Sequence, residues 1–227
     1  DLQWREHARD ATEVYLERHA EGARAAGVSV VTVVLEGAIA PALEAYASKG
    51  RVDLMLMTTH GRGGLGRFWL GSVTDQLLRG ADADVFVVRP WDETAERERE
   101  LSRFENILVP LDGSEESESA LTPAQWIAGR FDAALVLTRV VPSPVELTSI
   151  YGVRGVELRS EAHDERLREA KEYLSGVAAR VEHERVEVRV AESPGAAEGA
   201  VEVARTIDAD LIVLAIGVNP SRVLVLS

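Results

Sequence analysis

The chain has 227 residues, 46% apolar and 5% aromatic, and carries 25 Lys and Arg against 38 Asp and Glu, a formal charge of −13. That length holds one large domain or two of roughly 110 to 150 residues, and the acidic field argues against nucleic acid and anionic membranes as partners. With no cysteine there is no disulfide, thiolate nucleophile or cysteine-built metal site, which fits a reducing cytoplasm.

Residues 1–22 read as a charged amphipathic helix without the apolar core of a secretory signal. Residues 28–35, VSVVTVVL, read as an alternating strand, and apolar runs of this length are too short to span a bilayer. A Gly-led, Ala-rich helix follows Gly37. Then comes a strand over 54–57, preceded by Asp53 and apolar at every position, which predicts burial on both faces of a parallel sheet. Residues 58–80 form a glycine-rich loop entering a helix, and 85–88 a further apolar strand. The charged run 91–105 reads as an exposed linker. After it, FENILVPLDGS is a strand ending in Asp112-Gly113-Ser114. The next helix contains Pro123, which demands a kink or a second helix start, and AALVLTRVV is the next strand. The following long helix sets Leu167, Ala170, Leu174, Val177, Ala178 and Val181 in one buried stripe.

The chain repeats itself. Tyr15-Leu16 recurs as Tyr173-Leu174, Val28 as Val186 and Gly37 as Gly195, while Asp53 of VDLML recurs as Asp210 of ADLIVL. The predicted organisation is a first domain over 1–91 lacking its opening βαβ unit, a linker over 92–105, and a second domain over 106–227. The second copy is short by a loop and helix near 217–219, because residues 85–88 recur as 223–226 too soon. So few residues cannot make a parallel crossover, which takes about a dozen. Three arrangements fit this incompleteness: residues outside the sequence, a degenerate second copy, or a circular permutation in which residues 105–142 complete the first copy's sheet.

The loop TTHGRGGLGRFWLGSVTDQLLRG has the makings of a phosphate cradle. Gly61, Gly63, Gly64 and Gly66 allow backbone amides to converge on an anion. Gly71-Ser72-Val73-Thr74 opens a helix whose free amides favour negative charge, and Arg62 and Arg67 add positive potential. A plain structural reading stands beside this one, since Ser72 to Asp75 has the form of a capping box. The segment is neither a Walker loop nor a dinucleotide fingerprint.

ILVPLDGSEESESAL, the stretch VDLMLMTTHGRGGLGRFWLGSVTDQLLRGADADVFVVRP and the repeated layout resemble the universal stress protein family in its tandem two-domain form. The resemblance implies an α/β fold of two similar open parallel sheets, each of strand order 3-2-1-4-5 with helices on both faces. It also implies last strands, 84–88 and 222–226, that pair across a pseudo-dimer of the two copies, with a homodimer as a further assembly. ATP-binding members carry Gly, two residues, Gly, nine residues, then Gly-Ser or Gly-Thr; Gly61 and Gly71-Ser72 match, and Thr58 stands where the first glycine belongs. By resemblance, Gly61, Gly64, Gly71, Ser72, Val73 and Thr74 hold ribose and phosphates of ATP, with magnesium as the accompanying ion. Pro110, Asp112 and Val140 line the nucleoside end. The first copy thus has the cradle without the acid, and the second the acid without the cradle.

The other polar residues read as structural. His60 is a loop residue bonding backbone, His7, His19, His163 and His183 form no metal-ligand spacing, and Asp53 and Asp210 are turn or cap acids. Phe68 and Trp69 are expected to pack in the core. No Ser/His/Asp nucleophile arrangement is placed. The sequence therefore points to a cytoplasmic, ATP-responsive stress module without turnover chemistry. The alternative is an assembly protein of the same fold that binds no nucleotide. An ATP-pyrophosphatase-like enzyme is disfavoured, because Asp112-Gly113-Ser114 is not a Ser-Gly-Gly loop.

Overall fold

A computed structural model of the chain describes residues 2–58, 72–80, 83–88, 104–143, 148–215 and 222–226, with side chains excepted at 2–6, 148–160 and 222–226. The chain divides into two compact units, Asp1–Tyr46 and Ala47–Ser227.

In the first unit, α1 (Leu2–Ala25) ends at Gly27, whose φ of +85° needs a residue without Cβ. Gly27 N donates to Arg24 O at 2.9 Å and Val28 N to Ala23 O at 3.0 Å, which satisfies the last carbonyls of the helix. Residues 28–36 then run extended but enter no sheet. Side chains strap them to α1 instead: the Thr32 hydroxyl donates to Glu17, and Arg24 Nη2 donates to Val30 O at 3.2 Å. This corrects the strand expected over 28–35. A β-strand is defined by its neighbour, and the repeat-related segment in the second copy has one that the first copy lacks within this sequence. A second helix, α2 (Ile39–Gly50), follows.

The second unit is one seven-stranded sheet with its helices. Its elements are β1 (Leu54–Thr58), α3 (Ser72–Gly80), β2 (Asp84–Val88), β3 (Asn106–Pro110), α4 (Glu115–Glu118), α5 (Leu121–Phe131), β4 (Ala134–Pro142), α6 (Thr148–Ala178), β5 (Val186–Ser193), α7 (Ala196–Thr206), β6 (Leu211–Ala215) and β7 (Arg222–Leu226), and the strand order is β1-β2-β7-β6-β3-β4-β5. Taken alone, the second repeat reads β5-β4-β3-β6-β7, its third, second, first, fourth and fifth strands. β3, β4, β5 and β6 pair parallel, as do β1, β2 and β7.

The two groups meet at β6 and β7, which are antiparallel, with Leu211 opposite Leu226 and Ala215 opposite Arg222. The expected all-parallel sheet is corrected here, for the reason the sequence already carried. Residues 216–221 are too few for a crossover, so the chain folds back. Reversing β7 lets it lie parallel to β2, with Val85 opposite Val223. The circular permutation is also excluded among the described strands, since β3 pairs with β4 and β6 and not with β1.

Alternate residues of the central strands face different helices. Ile107, Val109, Leu135 and Leu137 pack with Ala124, Ile127, Leu174 and Val177 of α5 and α6. Leu108 and Val136 pack with Val203 and Ala204 of α7. The stripe read on α6 is the buried one, with Ala170, Leu174 and Val177 at most 1% exposed. Pro123 is accommodated by a second start: α4 stops at Glu118 and α5 begins at Leu121, which puts Pro123 in a first turn whose amides need no helical partner. The apolar strand 54–57 differs from expectation, because Leu54 and Leu56 are 48% and 69% exposed.

Candidate functional site

The carboxyl end of β3 is built by local hydrogen bonds. Leu111 N donates to Thr138 O at 2.8 Å, which extends the β3–β4 register past Pro110. The chain then turns at Gly113, with φ +96°. Asp112 Oδ1 accepts from Ser114 N at 2.9 Å and Ser114 Oγ at 2.6 Å, an aspartate turn closed on its own backbone. Ser114 is also the N-cap of α4: its Oγ accepts from Ser117 N at 3.1 Å. The bonds from Ser114, hydroxyl first and then amide, hold the Asp112 carboxyl below the usual carboxylate range. Asp112 is exposed, so a fixed anion stands at the strand end, with acceptor oxygens for hydroxyl or amide donors.

β4 supplies the flank. Val140 is half-buried under α7, where Gly199 makes room: a Cβ there would lie 2.6 Å from Val140 Cγ1. Arg139 brings a cation that the sequence reading missed. A Cβ on Gly113 would lie 3.3 Å from Arg139 Nη1, and the guanidinium carbon stands 5.0 Å from the Tyr173 ring centroid, a cation–π contact. Tyr173 donates to Glu118 Oε1 at 3.0 Å, and Glu118 pairs with Arg180 at 3.0 Å. Burial, then the bond to Glu118, push the Tyr173 phenol up to about 12, so it stays a protonated donor near neutrality. The local signal for this end was the D-G-S-x-x-S string; nothing local announced Arg139, whose partners come from distant segments.

The other predicted half lies elsewhere. Gly61, Gly64 and Gly71, with His60, Phe68 and Trp69, are outside the described residues. Ser72, Val73 and Thr74 open α3, with Ser72 exposed and Thr74 buried. Asp75 bonds forward to Arg79 (3.2 and 3.1 Å), not back as a capping-box acid would. Because β1 and β3 run in opposite directions and β2, β7 and β6 lie between them, Thr58 and Pro110 end their strands at opposite ends of the sheet, about 19 Å apart across it. Pro110, Asp112 and Val140 are brought together; the segment after β1 is not brought to them.

The remaining acids and histidines serve structure. Asp210 Oδ2 accepts from Glu105 N and Asn106 N at 2.7 and 3.0 Å. His183 Nε2 lies 2.7 Å from Ala133 O and His163 Nε2 2.7 Å from Glu192 Oε2.

Comparison with known proteins places this arrangement. The model of the universal stress protein family matches residues 1–89 and again 103–225. The chain belongs to the universal stress protein family. The two matches follow the two repeats, in the tandem form. A universal stress protein of Methanocaldococcus jannaschii is 40% identical over 63 residues, 28% of this chain and 37% of that protein. A putative universal stress protein of Staphylococcus haemolyticus is 37% identical over 91 residues, 39% of this chain and 55% of that protein. Each match thus spans little more than half of the curated relative, or less. Among solved structures, a universal stress protein of Archaeoglobus fulgidus matches with a TM-score of 0.61 at 18% identity, covering 96% of this chain and 78% of that one. A putative one of Pseudomonas aeruginosa matches with a TM-score of 0.56 at 21% identity, covering 94% and 77%. At those identities the likeness is one of fold. No helix among the described residues is long and apolar enough to cross a membrane.

Proposed function

We propose that this universal stress protein is an ATP-responsive regulatory module of the stress response that carries out no turnover chemistry. The observation that carries the reading is the Asp112 carboxylate, fixed by Ser114 and exposed at the carboxyl end of β3, where open α/β sheets take ligands. In this reading Pro110, Asp112 and Val140 take the nucleoside, with Asp112 accepting hydroxyl donors, and Arg139 supplies the positive charge that an acidic chain needs to hold an anion. Gly61, Gly64, Gly71, Ser72, Val73 and Thr74 hold phosphates, with magnesium accompanying them. The opposed directions of β1 and β3 keep these two sets from gripping one nucleotide within a chain, so a homodimer that brings the sets of two copies together fits the reading better than a self-sufficient monomer.

The same opposition, with Thr58 in the first glycine's place, favours a second reading: an assembly protein of this fold that binds no nucleotide. Equilibrium dialysis with ATP separates them. Micromolar retention that Asp112→Ala abolishes supports the first reading; no retention at millimolar ATP leaves the second.

A further inference from the structure

β1 is an outer strand. β2 pairs with one edge of it, and no described strand pairs with the other. Its repeat counterpart β6 lies between β3 and β7.

The approach to the two strands matches residue by residue. Val52 N donates to Ala47 O at 3.1 Å as Ala209 N does to Ala204 O at 2.8 Å. Arg51 and Asp208 are both left-handed, at φ 51° and 49°. Next comes Asp53 in one repeat and Asp210 in the other. Asp210 holds the start of its neighbour: its carboxylate accepts the amides of Glu105 and Asn106, and its own amide donates to Asn106 O at 3.0 Å. Leu211 and Val213 behind it are fully buried. At β1 the same parts stand unused. Asp53 is exposed and accepts no hydrogen bond from a described residue, and Leu54 and Leu56, aligned with Leu211 and Val213, are 48% and 69% exposed.

We infer that the free edge of β1 is a docking site for a parallel strand from another polypeptide, of the same kind as β3: two residues with open amides followed by an apolar run. Asp53 accepts the first two amides of the incoming strand, the β1 backbone continues the ladder, and the visiting unit covers Leu54 and Leu56. An unpaired edge is a ready template for such addition. A second β1 fits less well. Two copies related by a twofold axis meet antiparallel, which sets each Asp53 against the far end of the other strand, where no strand start needs a cap.

The test uses the whole chain and a fluorescein-labelled peptide of residues 104–112, FENILVPLD, followed by anisotropy and by amide exchange over residues 54–58. The expected result is saturable binding, exchange over β1 slowed about tenfold, no binding of a scrambled peptide, and affinity lowered about tenfold or more by Asp53→Ala and by Leu56→Lys. Both side chains are exposed, so neither substitution should move the urea midpoint of the free chain. The inference is overturned by an absence of binding at millimolar peptide or by binding indifferent to both substitutions. It is equally overturned by self-association of the chain that Leu56→Lys removes, which assigns the edge to a second copy. None of these outcomes depends on nucleotide.

Discussion

Asp112 and Ser114 are joined twice, through the Ser114 amide at 2.9 Å and its hydroxyl at 2.6 Å, both onto one carboxylate oxygen. That pairing makes the turn a pH-dependent element. The folded carboxyl titrates below its ordinary value of 3.8, so the stabilisation is fully present above that value, where folded and unfolded chains are both ionised. It is lost as the pH falls from there through the lowered folded value, because the unfolded chain takes up the proton first. Asp112→Asn should therefore destabilise at about pH 7 and converge on the wild type at about pH 2. Urea unfolding at both pH values checks this; a difference that does not shrink in acid removes Asp112 as the cause.

Gly113 and Gly129 predict opposite signs for one substitution. Gly113→Ala forces an L-residue to φ +96° and sets a Cβ 3.3 Å from Arg139 Nη1, at a cost of about 1–2 kcal/mol. Gly129 lies in α5 with nothing within 4 Å of a Cβ placed there, so Gly129→Ala should stabilise by about 0.5–1 kcal/mol. Urea midpoints of the two variants, moving in opposite directions, are the expected result.

How much of this was legible in the sequence depends on how far apart the partners lie. The α6 stripe through Leu174 and Val177 follows from helical period, and the Asp112-Gly113-Ser114 turn from contacts two residues apart; both are local. Pro123 announced a conflict whose resolution as a second helix start needed the coordinates. Residues 28–35 carry strand propensity in full, yet a strand requires a neighbour, and propensity says nothing about one. The short segment after β6 was legible as a misfit, but that the chain would reverse β7 and so turn it parallel to β2 was not. Arg139 escaped notice because its Tyr173 contact joins segments far apart in sequence.

The repeat supplies an internal control for burial. Leu211 and Leu54 occupy the same place in their copies, but Leu211 is fully buried and Leu54 is 48% exposed. Leu211→Ala should cost about 2–5 kcal/mol and Leu54→Ala about 1 kcal/mol or less. Chemical denaturation of the two single variants measures the gap, and equal losses would mean that β1 is covered in solution.

Gly199 and Val140 form a contact that only a missing side chain allows. A Cβ at residue 199 would lie 2.6 Å from Val140 Cγ1 and 2.9 Å from Ser193 Cβ, both on short side chains with little freedom to retreat. Gly199→Ala gains about 1 kcal/mol of helix propensity but sets it against an overpacking cost of about 1–3 kcal/mol, so the net effect is expected to be destabilising. Val140→Ala removes the closer of the two clashing groups. The double variant should therefore be more stable than the sum of the single losses by about 1 kcal/mol, and relief should be incomplete because Ser193 remains. A double-mutant cycle by urea unfolding reads this coupling directly. Strict additivity would mean that α7 shifts away from β4 as a rigid body, and that Val140 is not held in place by the glycine opposite it.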